Sequence, residues 1–373
     1  MNTLLFRAGR RWALLLALAT LVACGETSAV STPAVPSTVA AVAAAPSAAE
    51  CLDAPGPLPD AFVVGINDPL RFVKGDLVAL SADGQTTLQL TNVADGFAAQ
   101  APAWSPDGET LAYTRTRPAP DPTFSWLQQG VICGFDRRTG KGRTLALVPT
   151  AMTGMDDVAW APDGTALFVT LLQPQLNDSG QLLGNRASVG RYDLATFTLT
   201  TLAEDASSPT VAPDGKRLAF LRYDLSNYTQ RLVTTALDGS AEQSLTKPAD
   251  NFINLFAPRW RPDGSAVAFT GVRAGSASRE WWERLLGVGV AQAHGNPGGI
   301  WLVNADGANL RVLTSLSLDD PRAAWSRTGD RLAYSAGPDV GVFVLDPALG
   351  EQAAASGQQI STTGNYGGIT WAK

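Results

Sequence analysis

The sequence predicts an all-β fold made of repeated four-stranded sheets, and three observations predict it. A unit that reads Trp, turn, strand recurs six times between Trp104 and Trp371. A second strand pair, bridged by an acidic turn, follows each copy. The chain is also 45% hydrophobic and only 17% charged over 373 residues, so it can bury a large core and any disorder is local.

The first element precedes the repeats. Arg7, Arg10 and Arg11 lead an apolar run from Trp12 to Ala23, which ends in Leu21-Val22-Ala23-Cys24-Gly25. A basic start, a short apolar stretch and small residues at a cut site make residues 1–23 an export signal, too short for a membrane span of about 20 residues. The string resembles a bacterial lipobox, which implies that Cys24 is lipidated. Removal of residues 1–23 takes three arginines and no acid, leaving 25 basic against 34 acidic residues and a charge of −9. Residues 24–60 are rich in Ala, Ser, Thr, Val and Pro without an apolar period, the composition of a tether. Cys51 closes the tether and Cys133 sits in a strand-like run. An exported compartment permits a disulfide between them, with two free thiols as the alternative.

The repeats occupy residues 61–373. Trp104-Ser105-Pro106-Asp107-Gly108 leads into Leu111-Ala112-Tyr113, and Trp160-Ala161-Pro162-Asp163-Gly164 into Leu167-Phe168-Val169. Val211 with Pro213-Asp214-Gly215, Trp260 with Pro262-Asp263-Gly264 and Trp325 with Thr328-Gly329 begin three more, and Ile369-Thr370-Trp371 opens a sixth. Pro suits the second turn position, Asp bonds its own backbone and Gly takes the left-handed exit, so each unit is a hairpin and its Asp is structural. The tryptophans are expected as plugs between neighbouring sheets. Leu77 to Leu80, Ala82-Asp83-Gly84 and Thr87 to Leu90 form the second kind of pair, and Ile300 to Val303 with Ala305-Asp306-Gly307 and Leu310 to Leu313 repeats it.

Spacings of 56, 51, 49, 65 and 46 residues between Trp-equivalent positions match propeller units of roughly 50 residues. Six units of four strands predict a six-bladed β-propeller of antiparallel blades. Its last blade takes one C-terminal strand, Ile369 to Trp371, and three N-terminal ones, which closes the ring and removes free edges. A parallel β-helix lacks this Trp-turn-strand pattern. The motif Trp-x-Pro-Asp-Gly-x-x-Leu-Ala-Tyr/Phe, together with the strand Ile300-Trp301-Leu302-Val303 and its turn, resembles the WD40-like repeat of TolB-type six-bladed propellers over residues 61–373. TolB-type proteins carry an α/β domain ahead of the propeller and act as soluble periplasmic partners of envelope proteins. A tether stands in that place here, so their role in that complex is not carried over.

Composition narrows function. A net charge of −6 and a pI near 4.9 leave no basic surface for nucleic acid. With His294 as the single histidine, His-dependent triads and His-rich metal cages are disfavoured. No Walker loop, nucleophile elbow, HExxH or dinucleotide fingerprint is present, and no cofactor or metal is expected.

Length is concentrated in the loops between second and third strands, about Thr116–Gly130, Gln173–Ala187 and Val272–Gly299, all expected on the face opposite the Pro-Asp-Gly turns. Phe124, Trp126, Arg279, Trp281, Trp282 and Arg284 on these loops are the candidate partner-binding residues, with packing onto the propeller as the alternative. Asp157, Asp205 and Asp320, from the pairs Asp156-Asp157, Glu204-Asp205 and Asp319-Asp320, are expected near the channel mouth as solvated acids. A cation site or an attraction for cationic peptide is the sharper reading of them.

These features point to a non-enzymatic, monomeric lipoprotein on the outer side of a bacterial cell membrane or in the outer membrane. It would touch the membrane only through its N-terminal lipid and bind a protein or peptide partner of the envelope through the long-loop face. The alternatives are a propeller hydrolase or lyase acting on glycans or peptides with paired carboxylates, and a small-ligand or Ca²⁺-binding module.

Overall fold

The computed structural model describes residues 41–42 and 51–372, apart from 68–74, 95–96, 118–128, 148–153, 180, 228, 274–297, 315–318, 338–340, 354–356 and 364–366. The chain divides into residues 1–37, which lie outside the described ones, and residues 38–373. Cys24 belongs to the first unit; everything below concerns the second.

The strands in chain order are β1 (Ala41–Val42), β2 (Phe62–Asn67), β3 (Gly75–Leu80), β4 (Thr87–Gln89), β5 (Ala98–Trp104), β6 (Thr110–Arg117), β7 (Gln129–Asp136) and β8 (Gly142–Leu147). They continue with β9 (Gly154–Trp160), β10 (Ala166–Leu176), β11 (Leu182–Asp193), β12 (Thr198–Glu204), β13 (Ala206–Val211), β14 (Arg217–Asp224), β15 (Thr229–Ala236) and β16 (Gln243–Ser244). The rest are β17 (Phe252–Trp260), β18 (Ala266–Arg273), β19 (Gly299–Asn304), β20 (Arg311–Val312), β21 (Asp319–Trp325), β22 (Leu332–Gly337), β23 (Gly341–Leu345), β24 (Gln358–Ser361) and β25 (Ile369–Trp371).

Among the described residues 24 of these pair antiparallel into six groups of four, β5–β8, β9–β12, β13–β16, β17–β20, β21–β24, and β25 with β2, β3 and β4, and β1 adds a fifth strand beside β12. One parallel contact, Gly75 with Ala98, ties the last group to the first. The fold is a β-propeller, as the repeats predict.

Each hairpin forms for a local reason. Gly108, Gly164, Gly215 and Gly264 have φ of 74°, 72°, 68° and 71°, the left-handed exit that a Cβ would strain. The carboxylates of Asp107, Asp163, Asp214 and Asp263 accept the amide two residues on at 2.9–3.0 Å. In the outer pairs a buried threonine does related work: Thr91, Thr246 and Thr314 hydroxyls accept the Leu77, Leu232 and Ile300 amides.

Packing joins the groups face to face. Ala112 and Ile132 of the first group share a cluster with Val158, Leu167 and Tyr192 of the second. Arginine adds a staple between others: Arg217 lies 4.7 Å over the Trp260 ring and donates to the Gly264 carbonyl. Trp104, Trp260 and Trp325 are at most 9% exposed, consistent with their reading as plugs.

At the seam, β25 pairs with β2 in the register Ile369 with Val64 and Trp371 with Phe62. Phe62 and Val64 pack with Ala324, Ala333 and Val342, while Val63 and Leu77 pack with Leu111 and Tyr113. The mixed group is therefore flanked by β21–β24 on one side and β5–β8 on the other. Gly65 approaches so closely that a Cβ there would lie 2.4 Å from Gly367 Cα.

The segment ahead of β2 differs from the expected tether. Cys51 is disulfide-bonded to Cys133, with Cα atoms 5.6 Å apart. The Ala54 and Leu58 amides donate to the Gly140 and Arg137 carbonyls, and Asp53 pairs with Lys141 at 2.8 Å. Residues 51–60 are thus fastened along the β7–β8 turn, because the disulfide brings the chain there and buried Leu58 joins the first core cluster. Residues 51–60, expected as the end of the tether, are part of the packed body, and residues 43–50 lie outside the described ones.

Candidate functional site

The first strand of each group, β5, β9, β13, β17, β21 or β25, leads to a Trp-equivalent residue, and successive positions before it form layers. One residue before it stand Ala103, Ala159, Thr210, Arg259, Ala324 and Thr370, and all six line one cavity of about 470 Å³. Trp104, Trp160, Trp260, Trp325 and Trp371 wall it, with the turn prolines Pro106, Pro162, Pro213 and Pro262. The cavity opens because five of the six inner positions carry small side chains. The tryptophans serve both as plugs between groups and as its wall.

Three residues before the Trp position the layer changes character, to Ala101, Asp157, Ser208, Ala257, Arg322 and Gly368. Four of these residues are non-glycines with left-handed φ: Ala101 at 51°, Asp157 at 43°, Ser208 at 54° and Ala257 at 46°. They sit where the ladder register shifts, so a repeated bulge turns this layer. Asp157 Oδ1 lies 3.7 Å from Arg322 Nη1, and its Oδ2 accepts the Ser208 hydroxyl at 2.8 Å. The Thr170 hydroxyl donates to the same oxygen at 3.5 Å and accepts the Ser208 amide at 2.8 Å. Asp157 and Arg322 belong to the second and fifth groups, so their ion pair joins groups that are not neighbours.

Asp156 adjoins this layer and accepts from Gln100 Nε2 at 3.2 Å and from the Asp157 amide at 2.9 Å. Desolvation, then the neighbouring Asp157 charge, pushes its pKa up to about 6. The folded chain therefore holds this proton more tightly than the unfolded chain. This carboxyl's contribution to stability is full below about pH 4 and is lost as pH rises to about 6. Asp156→Asn is expected to match the parent near pH 4 and to exceed it by on the order of 2 kcal/mol above about pH 7. Urea titrations across this range check it; a variant with the parent's pH slope would refute the assignment.

Arg259 is the one charged residue of the upper layer. Its Nη1 donates to its own Pro258 carbonyl at 2.9 Å, and among the described residues no carboxylate lies within ion-pairing distance. Burial pulls its pKa below the ordinary value, partly offset by the Asp157 charge.

Of the acids expected at a channel mouth, only Asp157 is placed in this layer, and it is bonded and 8% exposed, not solvated. Asp205 is gripped by Arg186 through two bonds of 2.9 and 3.2 Å at the β12–β13 junction. The Asp320 side chain lies outside the described residues, as do Phe124, Trp126, Arg279, Trp281, Trp282, Arg284 and His294. Among the described residues no three acidic, Cys or His side chains converge on a common point. Arg259, Arg322 and Ser208 were not singled out from the sequence. Their signal is the aligned strand ends Ala-Pro-Ala-Trp, Asp-Val-Ala-Trp, Ser-Pro-Thr-Val, Ala-Pro-Arg-Trp, Arg-Ala-Ala-Trp and Gly-Ile-Thr-Trp, in which the arginines depart from small residues.

No protein-family model and no curated protein matches the chain. Solved structures do. TolB from Acinetobacter baumannii is similar at a TM-score of 0.57 and 15% identity, over 86% of this chain and 68% of that one. A chain of a nidogen/laminin complex is similar at a TM-score of 0.54 and 12% identity, over 84% and 98%. Oligogalacturonate lyase in complex with manganese aligns at a TM-score of 0.48 and 14% identity, over 84% and 85%. In fold, the chain is a TolB-like β-propeller.

Proposed function

We propose that the protein is a non-enzymatic binding module, held on the outer side of a bacterial membrane through lipidated Cys24, that engages a protein or peptide partner through its long-loop face. The observation that carries this reading is the state of the axis. Its carboxylate Asp157 is engaged by Arg322, Ser208 and Thr170, which suits a structural role better than that of a free acid or base. The likeness to TolB and to a chain of the nidogen/laminin complex accords with a propeller that displays surfaces.

Two experiments test it. Cys24→Ala is expected to move the protein from the membrane fraction to the soluble one; unchanged fractionation would count against the anchor. A photo-crosslinker at Trp281 is expected to trap one envelope partner, lost when residues 276–296 are deleted; an unchanged adduct pattern would exclude this loop.

A second reading, a hydrolase or lyase, draws on Asp156, whose pKa near 6 suits a proton-transfer group. Turnover of glycan or peptide substrates that disappears in Asp156→Asn would favour it over the first.

A further inference from the structure

We propose that the cavity on the turn face is a binding site for an organic carboxylate carried on a flat apolar group, with Arg259 as its anchor. The site stands among the Pro-Asp-Gly turns, at the ends of the first strands, and does not depend on where a protein partner docks.

Four features of the cavity define the ligand. The volume, about 470 Å³, falls in the range of small-molecule pockets, roughly 300–1,000 Å³. Its wall is built from tryptophan and proline, surfaces that receive a planar apolar body. The Asp157–Arg322 pair crosses the layer beneath, which sets charged groups at the inner end of the cavity. At the inner ring of the cavity Arg259 stands among Ala103, Ala159, Thr210, Ala324 and Thr370.

The Arg259 guanidinium is partly exposed and makes one backbone hydrogen bond, which leaves donors for a ligand. The nearest carboxylate charge, Asp157, is already divided between Arg322, Ser208 and Thr170. An incoming carboxylate can take two of the Arg259 donors side by side, the geometry for which arginine is suited. It would also offset the burial that weakens the charged form of Arg259. Arg327 on the lining adds a second cation. With Arg259, Arg322 and Arg327 against Asp156 and Asp157, the axis favours an anion even though the whole chain carries −6.

The competing account makes Arg259 a fixed counter-charge for Asp157 with no ligand of its own. Calorimetric titration of the purified chain separates the two. Indole-3-acetate is expected to bind about ten- to hundredfold more tightly than indole-3-acetamide, the neutral analogue of the same shape. N-acetyl-Ala-Phe and its C-terminal amide form a second arm, which tells a free acid from a peptide C-terminus as the source of the carboxylate. Arg259→Gln is expected to erase the preference for the acid. Ala159→Leu, which fills the cavity without touching the charge, is expected to abolish binding and covers the case in which Arg259→Gln does not fold. Failure of both acids to bind at millimolar concentration, equal binding of acid and amide, or undiminished binding in Ala159→Leu would overturn the proposal.

Discussion

A chain lacking residues 367–373 is expected to lose its cooperative unfolding transition. The deletion removes β25, and with it the pairing of Val64 with Ile369 and of Phe62 with Trp371. Ile369 is 1% exposed and the Trp371 ring centre lies 4.4 Å from that of Phe62. Their burial is worth about 1.5–3 kcal/mol each. The lost ladder bonds, including the Ala372 amide to the Ala61 carbonyl, and the newly bare β2 edge add to that cost. Against a total stability of about 5–15 kcal/mol this is a large share, and the bare edge favours edge-to-edge association. Circular dichroism melts and limited proteolysis provide the readout, and a synthetic peptide of residues 362–373 should restore part of the transition. A truncated chain melting within a few degrees of the parent would show that the ring is not closed through β25.

Asp157→Ala is expected to destabilise the protein by about 3–5 kcal/mol, the usual cost of stripping one partner from a buried ion pair. Three losses combine. Arg322 and Arg259 are left as two cations near the axis, the Ser208 and Thr170 hydroxyls lose their acceptor, and alanine must hold a φ of 43° that aspartate tolerates better. Asp157→Asn keeps an acceptor and that tolerance, so it should cost less than alanine. Adding Arg322→Met to Asp157→Ala should recover part of the loss, since the orphaned cation goes with it. Chemical denaturation of the three variants checks the order. A single alanine variant within about 1 kcal/mol of the parent, or strict additivity of the double variant, would mean that the charges do not meet across the axis.

The fold was legible because its signals are local and repeated. Each Pro-Asp-Gly turn carries its own reason for turning, and six copies in register leave little choice of architecture. The seam was legible too, since Ile369-Thr370-Trp371 is a first strand without successors. The binding cavity was harder to see. It is made by what the inner strands lack, small residues at one position in five of the six copies, and the eye follows tryptophans before alanines. Asp157 was noticed for its charge but placed among solvated acids, because the arginine that neutralises it lies 165 residues away in sequence on a strand that only the closed ring brings near. The Cys51–Cys133 pairing was open for a similar reason: spacing alone says nothing of whether two sulfurs meet.

The position of that covalent link decides how the molecule would bear a load. Traction on the polypeptide ahead of Cys51 is received at Cys133, inside β7, where the strand is hydrogen-bonded on both sides. The stretch from Cys51 to Phe62, fastened along the β7–β8 turn, then lies outside the line of pull, and so does the zipper between β2 and β25. Such a pull would strain the flank of one sheet and leave the clasp at rest.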